Sequence, residues 1–239
     1  MKTARAWVFT LAAVVGIGIT GALGQWQMGR AAQKLALQSA IQERNALPAL
    51  PQAAWLANAG TADLVHRPIV LRGTWVARHT VFLDNRQMQG RPGFYVVTPL
   101  QLEGSGRTVL VQRGWAARNF VEREKLPPVE TPAGMVEVRG RIAPAPAKLY
   151  EFDGAGAGPI RQNLDLARFA DETGLALLPG SVQQTGGPSE GLLREWPQPA
   201  TGVEKHYGYA FQWWALCALI AFLYVWFQFI APRRRTPRA

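Results

Sequence analysis

Three histidines, His66, His79 and His206, are the side chains best suited to bind a metal ion or to move a proton at neutral pH. His206 lies just before a long uncharged segment. On an α-helix, steps of three and four residues would place it on one stripe with Ala210, Trp213, Cys217, Ile220 and Tyr224. A neutral imidazole nitrogen can bind haem iron as an axial ligand. Ala210 would leave room for a flat ring, and Trp213 could contact the edge of that ring.

A second interpretation of His206 needs no cofactor. Beside Tyr207 and Tyr209, the imidazole would anchor a membrane helix among the lipid headgroups. Spacing alone leaves both interpretations open. Cys217 lies in the middle of the same apolar segment, where a thiol ionises poorly, so we expect it to pack rather than to react.

Arg113 is the other candidate for binding a ligand. It follows the strand-like run TVLVQ and precedes Gly114-Trp115, and its guanidinium could pair with a carboxylate such as a haem propionate. An arginine beside a tryptophan at a sheet rim serves equally well as a structural contact. His79 and Asp84 could form an acid–base pair, but no nucleophile accompanies them. Since GxSxG, HExxH, a phosphate-binding loop and GxGxxG after a strand are all absent, we expect no enzyme.

Charge distribution indicates a membrane rather than a nucleic acid as the partner. The 239-residue chain has 48% apolar residues, a net charge of +10 and a single cysteine, which excludes an intramolecular disulfide. All 16 acidic residues lie between Glu43 and Glu204. Over half of the positive excess comes from two tails that flank apolar runs, namely Lys2 and Arg5 at one end and Arg233, Arg234, Arg235 and Arg238 at the other.

The two uncharged runs, Trp7–Gly24 and Ala210–Ala231, contain 18 and 22 residues. As helices they would be about 27 and 33 Å long, close to the ~30 Å hydrocarbon core of a bilayer. The basic tails then place both termini in the cytoplasm and the intervening domain outside. The predicted boundaries are a cytoplasmic N-terminus 1–6, spans 7–26 and 206–231, an external domain 27–205 and a cytoplasmic basic tail 232–239. A cleaved signal peptide ending near Gly24 is the alternative for the first span, and it leaves the domain on the same side.

The external domain begins with helix formers over Gln27–Asn45, so the first span is predicted to continue outward as a helix. Short runs rich in Val, Ile, Phe and Tyr follow, and they predict strands at Val65–Ala77, Thr80–Asp84, Gly93–Leu102, Arg107–Arg113, Met135–Ile142 and Ala147–Phe152. Glu103–Gly106 has the composition of a hairpin turn, and Asn85–Gly93 that of a longer turn. Leu164–Glu172 predicts one short helix, and Pro179–Pro199 a loop-rich stretch.

These elements together predict an α+β membrane protein. Two transmembrane helices flank a β-rich extracytoplasmic domain, which forms a small antiparallel, barrel-like sheet with one short helix.

Three blocks, in order along this layout, resemble the Surfeit locus protein 1 family of cytochrome c oxidase assembly proteins. The first is Leu23-Gly24-Gln25-Trp26-Gln27 with Arg30 and Lys34. The second comprises Gly73, Arg86, Gly90, Gly93, Val96, Thr98-Pro99-Leu100 and Val109-Leu110-Val111-Gln112-Arg113-Gly114-Trp115, in which Gln112 replaces the family's usual Asn. The third is His206-Tyr207-Gly208-Tyr209-Ala210-Phe211-Gln212-Trp213, which resembles the family's entry into its second anchor.

The resemblance implies a non-enzymatic chaperone of the cell inner membrane, with its domain in the periplasm. Such a protein would bind haem a transiently and help to insert it into subunit I of cytochrome c oxidase. The resemblance implies that His206 takes part in haem binding. With His206 as the axial ligand, we expect Trp213 and Tyr209 to line the ring and Arg113 to contact a propionate. The implied partners are subunit I, haem a synthase and membrane lipid, with no nucleic acid. Two rival hypotheses are a scaffold that steadies an assembly intermediate without binding haem, and a membrane-bound enzyme of haem or lipid metabolism.

Overall fold

The computed structural model describes residues 2–119, 121–122, 125–150, 158–197 and 202–231. The chain forms two compact units. The helical unit comprises Met1–Ala40 and Pro199–Ala239, and the sheet unit comprises Ile41–Gln198. The basic tail predicted at 232–239 lies outside the described residues.

Two long helices make up the helical unit. Helix α1 spans Lys2–Ala46, so the predicted continuation of the first span through Gln27–Asn45 is confirmed. Helix α4 spans Val203–Val225 and continues as a π-helical segment over Trp226–Ile230. Both are long and apolar enough to cross a membrane, as the sequence predicts.

The two helices of this unit pack antiparallel. Near the start of α1, the hydroxyl of Thr10 lies 3.0 Å from that of Tyr224 near the end of α4. Further along α1, a Cβ at Gly24 would lie 2.3 Å from the indole Nε1 of Trp214. Gly24 is therefore a point of close approach that a larger residue would block. A Cβ at Gly18, in contrast, would meet no other atom within 4 Å, so this glycine is not a point of close approach.

Among its described residues, the sheet unit has eight strands and two short helices. The strands are β1 (Leu50–Pro51), β2 (Pro68–Trp75), β3 (Val81–Met88), β4 (Arg91–Leu102), β5 (Thr108–Ala117), β6 (Met135–Ala143), β7 (Ile160–Arg161) and β8 (Ser181–Gln184). Helix α2 spans Gln52–Ala57 and α3 spans Leu166–Thr173, and short 3₁₀ turns lie at Ala62–Leu64 and Ala77–His79.

The sheet closes into a small barrel. Its strand order is β1-β2-β6-β8-β5-β4-β3-β7, and an additional pairing of β2 with β4 closes the ring of β2, β6, β8, β5 and β4. Strand β2 passes from one neighbour to the other at Gly73, which is opposite both Val136 of β6 and Leu102 of β4. A Cβ at Gly73 would lie 2.3 Å from the carbonyl oxygen of Gln101, so the closure depends on a residue without a side chain.

Alternation along the strands fills the barrel. In β2, the side chains of Ile69, Leu71 and Trp75 are buried, while Arg72 and Thr74 face outward. Trp55 of α2 covers one end of this core and is 1% exposed. Helix α3 packs on a second cluster that includes Leu110, through residues such as Phe169, so β4 and β5 are buried along nearly their whole length.

Helix α3 has clear signals at both ends. Asp165 caps its N-terminus by accepting hydrogen bonds from the backbone N–H groups of Ala167 and Arg168. Gly174 ends it in a left-handed conformation, with φ of 68°. The helix predicted at Leu164–Glu172 is therefore confirmed, with its start two residues later.

Some local expectations were wrong. Residues 85–88, predicted as turn, continue β3 through an irregularity between Leu83 and Arg86, and Asn85 absorbs the distortion with φ of 58°. Within the loop-rich 179–199, a strand (β8) forms because its backbone pairs with β5 and β6. The sheet is mixed rather than antiparallel, since β1–β2, β3–β7 and β5–β8 are parallel pairs. Of the strand predicted at Ala147–Phe152, residues 147–150 are not strand, and the rest lies outside the described residues.

Candidate functional site

His206 lies in the first turn of α4, and its imidazole is tied to the other helix of the unit. Its Nδ1 lies 2.7 Å from Oε1 of Gln27, on α1. A carboxamide oxygen can only accept a hydrogen bond, so Nδ1 carries the proton and donates it. In a neutral imidazole with this hydrogen bond, Nε2 is the nitrogen without a proton. Within the part of the chain that the structure describes, Nε2 has no hydrogen-bond partner, so this nitrogen is free to act as a metal ligand.

The stripe predicted from the spacing faces α1. Ala210 is 1% exposed, and Trp213 and Cys217 are partly buried. The space that we expected beside Ala210 for a flat ring is therefore filled by protein. Tyr209, one turn beyond His206, is 52% exposed and offers an open aromatic surface next to the histidine.

Cys217 fits the packing role expected for it. Its sulfur lies 3.6 Å from the carbonyl oxygen of Ile17 on α1, and the residue is partly buried. A Cβ at Gly21 would lie 3.9 Å from the same sulfur, which is an ordinary van der Waals distance. Cys217 thus fills the interface between the two spans.

Arg113 has a buried environment in the sheet unit. Its side chain is 0% exposed, and its guanidinium lies 3.1 Å from a carboxylate oxygen of Glu190. It also donates to the hydroxyl of Thr131 at 2.7 Å and stacks 4.7 Å from the ring centre of Trp75. These contacts favour the structural role that the sequence left open, and binding of a propionate by Arg113 stays a prediction.

A second arginine, which sequence reasoning missed, shares the carboxylate with Arg113. Arg194 lies 2.9 Å from the same oxygen of Glu190, and its Nε donates to the backbone carbonyl of Arg113 at 2.9 Å. Burial lowers the pKa of Arg194, against the raising effect of Glu190. The pair joins the segment around Glu190 to β5. The only sequence signal was a Glu and an Arg four residues apart in a stretch predicted to be loop.

Arg86 is also buried, 6% exposed, and the sequence offered it only as part of a motif. One of its nitrogens donates to the carbonyl oxygens of Ala147 and Gln162, at 2.8 and 2.9 Å. Its guanidinium lies over the ring of Tyr95. Burial lowers the pKa of Arg86 and raises that of Tyr95. Arg86 therefore holds Ala147 and Gln162 against the barrel.

His79 and Asp84 do not form the acid–base pair considered from the sequence. Nε2 of His79 accepts a hydrogen bond from Arg78 at 3.0 Å, whereas Asp84 forms an ion pair with Arg118 at 3.1 Å. Among the described residues, no group of three or more His, Cys, Asp or Glu side chains could hold a metal ion. The hydrogen bond at Nδ1 of His206 leaves its Nε2 as the candidate ligand nitrogen, and ligation of a metal by His206 stays a prediction.

Known proteins resemble this chain over most of its length. The SURF1 family model matches residues 14–218. Surfeit locus protein 1 of Homo sapiens is 28% identical over 247 residues, which cover 93% of this chain and 76% of the human protein. Surfeit locus protein 1 of Rattus norvegicus is 28% identical over 250 residues, 90% of this chain and 72% of the rat protein.

A shorter match joins the chain to the cytochrome oxidase assembly protein SHY1 of Saccharomyces cerevisiae. The two are 26% identical over 99 residues, 41% of this chain, and this chain spans only 25% of the yeast protein. The family model, in contrast, covers part of each long helix and all the named strands between them. The chain therefore belongs to the SURF1 family.

Proposed function

We propose that this protein is an assembly factor for cytochrome c oxidase that binds haem a at the membrane and aids its insertion into subunit I. Membership of the SURF1 family and similarity to the yeast cytochrome oxidase assembly protein SHY1 support the assembly role. Support for haem binding comes from one observation, the hydrogen bond that holds Nδ1 of His206 at 2.7 Å from Gln27 and leaves Nε2 as a free ligand nitrogen.

The residues around His206 fit a haem in part. Nε2 of His206 would be the axial ligand, and the exposed ring of Tyr209 would offer an aromatic surface beside it. Trp213, partly buried on the face toward α1, would be a second aromatic side chain near the site. When bound, haem a supplies an iron for the imidazole and an apolar tail that partitions into the bilayer.

A single axial ligand suits a protein that passes its cargo on. One imidazole would fix the iron, since the sequence of the helical unit contains no second histidine and its cysteine, Cys217, lies eleven residues further along α4. Haem held in this way would exchange more readily than haem held by two ligands. We therefore propose that His206 is oriented to ligate haem and that the resulting complex is transient.

The proposed orientation in the membrane is based on the basic residues near the two ends of the chain. Lys2 and Arg5 at one end, and the arginine-rich tail at the other, would hold both termini in the cytoplasm. The sheet unit would then lie in the periplasm of a bacterial inner membrane, where it would meet subunit I and haem a synthase. Reporter fusions to the sheet unit test this orientation, and activity of a cytoplasm-dependent reporter there would refute it.

The test of haem binding is His206→Ala in the full chain, purified from cells that produce haem a. We expect the visible haem bands of the purified protein to be lost, because the ligand nitrogen is gone. The matched control is His79→Ala, which removes a partly buried histidine of the sheet unit and should leave the bands unchanged. Unchanged bands in the His206 variant would refute the ligand assignment.

Two observations favour a second candidate, a scaffold that stabilises an oxidase intermediate without binding haem. Ala210 is covered, and Arg113 is engaged with Glu190, so two of the haem contacts expected from the sequence have other structural roles. This candidate predicts a colourless purified protein that still co-purifies with subunit I. A purified protein that carries haem, lost in the His206 variant, would reject it.

A further inference from the structure

The hydrogen bond between Gln27 and His206 joins the two membrane spans at one point. We propose that Gln27 is a positioning residue that fixes the tautomer of the His206 imidazole, with the proton on Nδ1 and Nε2 presented as a ligand. This inference rests on the proposed haem binding and assigns a role to a residue of the first span. It makes the ligand a joint property of α1 and α4 rather than of α4 alone.

The chemistry of the two partners determines where the proton lies. Oε1 of Gln27 has no proton to give, and at 2.7 Å it accepts the one on Nδ1. Free histidine in water favours the opposite neutral tautomer, with the proton on Nε2 and no lone pair there for a metal. A histidine without this partner would therefore first have to move its proton before Nε2 could ligate.

Protein metal sites use this arrangement widely. A ligating histidine usually donates its other ring N–H to a carboxylate, a carbonyl or water, which fixes the ring and raises the basicity of the ligand nitrogen. The carboxamide of Gln27 occupies that position relative to His206. Its contribution would be to orient the imidazole, not to touch the iron.

Close packing of the helices brings the two side chains together. Gly24 lies one turn before Gln27 on α1, and the indole of Trp214 occupies the space where its Cβ would be. A methyl group at Gly24 would displace the indole of Trp214 next to the hydrogen bond, because Nε1 of that ring lies 2.3 Å from the position of the methyl carbon. Gly24→Ala is therefore expected to weaken the Gln27–His206 bond without changing either partner.

The first experiment reads the tautomer directly in the full-length protein without haem. Histidine labelled with ¹⁵N gives separate nitrogen signals for protonated and unprotonated ring positions, and the chain has only three histidines. The pair of ¹⁵N signals that disappears in the His206→Asn variant belongs to His206. In the parent protein, we expect a protonated Nδ1 and an unprotonated Nε2. Gln27→Leu should shift His206 toward a protonated Nε2, and Gly24→Ala should do so in part.

Gln25→Leu is the matched control, since Gln25 lies two residues earlier on the same helix and is exposed. It removes a carboxamide of the same size and should leave the His206 signals unchanged. A parent protein with Nε2 protonated, or a Gln27→Leu variant with the parent's tautomer, would overturn the inference.

The second experiment titrates the same variants with haemin and follows the Soret band. Loss of such a second partner typically weakens metal binding by about 10–100-fold, so Gln27→Leu should bind haemin more weakly by that factor. Gln27→Glu supplies an anionic acceptor for the same proton and should restore or exceed the parent affinity. A merely structural defect would not be rescued in this way.

The experiments distinguish failure of the proposed haem ligand, His206, from failure of the proposed positioning residue, Gln27. If His206→Ala abolishes haemin binding while Gln27→Leu leaves the affinity unchanged, the role of Gln27 is refuted and the proposed function survives. If His206→Ala leaves the affinity unchanged, the haem ligand itself is refuted, and with it the role of Gln27 in preparing that ligand.

Discussion

Replacing Glu190 by Gln removes the charge that two buried arginines share. The side chains of Arg113 and Arg194 are 0% and 3% exposed, and both guanidinium groups lie within 3.1 Å of the same carboxylate oxygen. Breaking a buried ion pair from one side typically costs about 3–5 kcal/mol, because the remaining charge stays buried without compensation. Here two like charges would remain, while Glu190 is 19% exposed and water offsets part of the cost. We therefore expect a loss near the lower end, about 3 kcal/mol.

Replacing Arg113, one of the two arginines, should destabilise the protein less than replacing Glu190. This order follows from the shared carboxylate, because Glu190 keeps its ion pair with Arg194. Arg113→Met leaves the ion pair between Glu190 and Arg194 intact, and an apolar side chain of similar length can lie against the ring of Trp75. The unfilled hydrogen bonds of Thr131 and of the chain around it are the main loss. We expect a destabilisation of about 1–2 kcal/mol, smaller than that of Glu190→Gln.

The assay is unfolding of the full-length protein in mild detergent, followed by tryptophan fluorescence. For a unit of about 150 residues, each kcal/mol corresponds to a Tm shift of about 2–4 °C, so Glu190→Gln should lower Tm by about 6–12 °C. The matched control is Glu137→Gln, which removes an exposed partner of Arg72 and Arg139 and should change stability by less than about 1 kcal/mol. Equal effects of the two variants, or a larger effect of Arg113→Met, would refute the reasoning.

Three further predictions concern the barrel and its helix. Asp165→Asn keeps an N-cap but removes a charge whose pKa is lowered first by the hydrogen bond from Lys148. The stability that this charge contributes is present above the ordinary pKa of about 4 and is lost as pH falls through the lowered value, so thermal unfolding of variant and parent should converge in acid. Gly73→Ala should destabilise by about 1–3 kcal/mol in urea unfolding, because its Cβ meets backbone where β2 passes to β4. Phe169→Ala removes a ring that is 2% exposed and packs between α3 and the barrel. It should lower the free energy of unfolding by about 3–5 kcal/mol in the same assay, and a loss below about 1 kcal/mol would show that the ring contributes little to the core.

The membrane-spanning helices, the main strands and α3 could be predicted from short-range sequence patterns. The uncharged runs, the alternation along β2 and the glycine at position 174 are local signals, and the structure confirms the elements that they predicted. Strands β1 and β7, two residues each, and the polar β8 have no such signal. They are strands only because a neighbour pairs with them, which is a consequence of the tertiary fold.

The burial of Arg86 and Arg194 could not be predicted from the sequence. Composition places arginine at the surface, so Arg86 and Arg194 appeared as ordinary polar residues of turns and loops. Their burial depends on backbone carbonyls and on a carboxylate from distant parts of the chain. The stripe through His206 shows the same limit. Helical spacing identified which residues share a face, but not that α1 would cover Ala210 and supply Gln27.

The candidate site thus depends on features of both spans. Helical spacing selects His206, and packing along α1 turns its Nδ1 toward Gln27 and leaves Nε2 available. A protein that stored haem would gain from a second ligand and an enclosed pocket. On the proposed function, one imidazole with a fixed proton and an open aromatic neighbour, Tyr209, is the more suitable arrangement, because the metal is ligated without a change of protonation and is released by breaking one bond. The release rate of haemin should therefore rise when Gln27 is replaced by Leu, and not when Gln25 is.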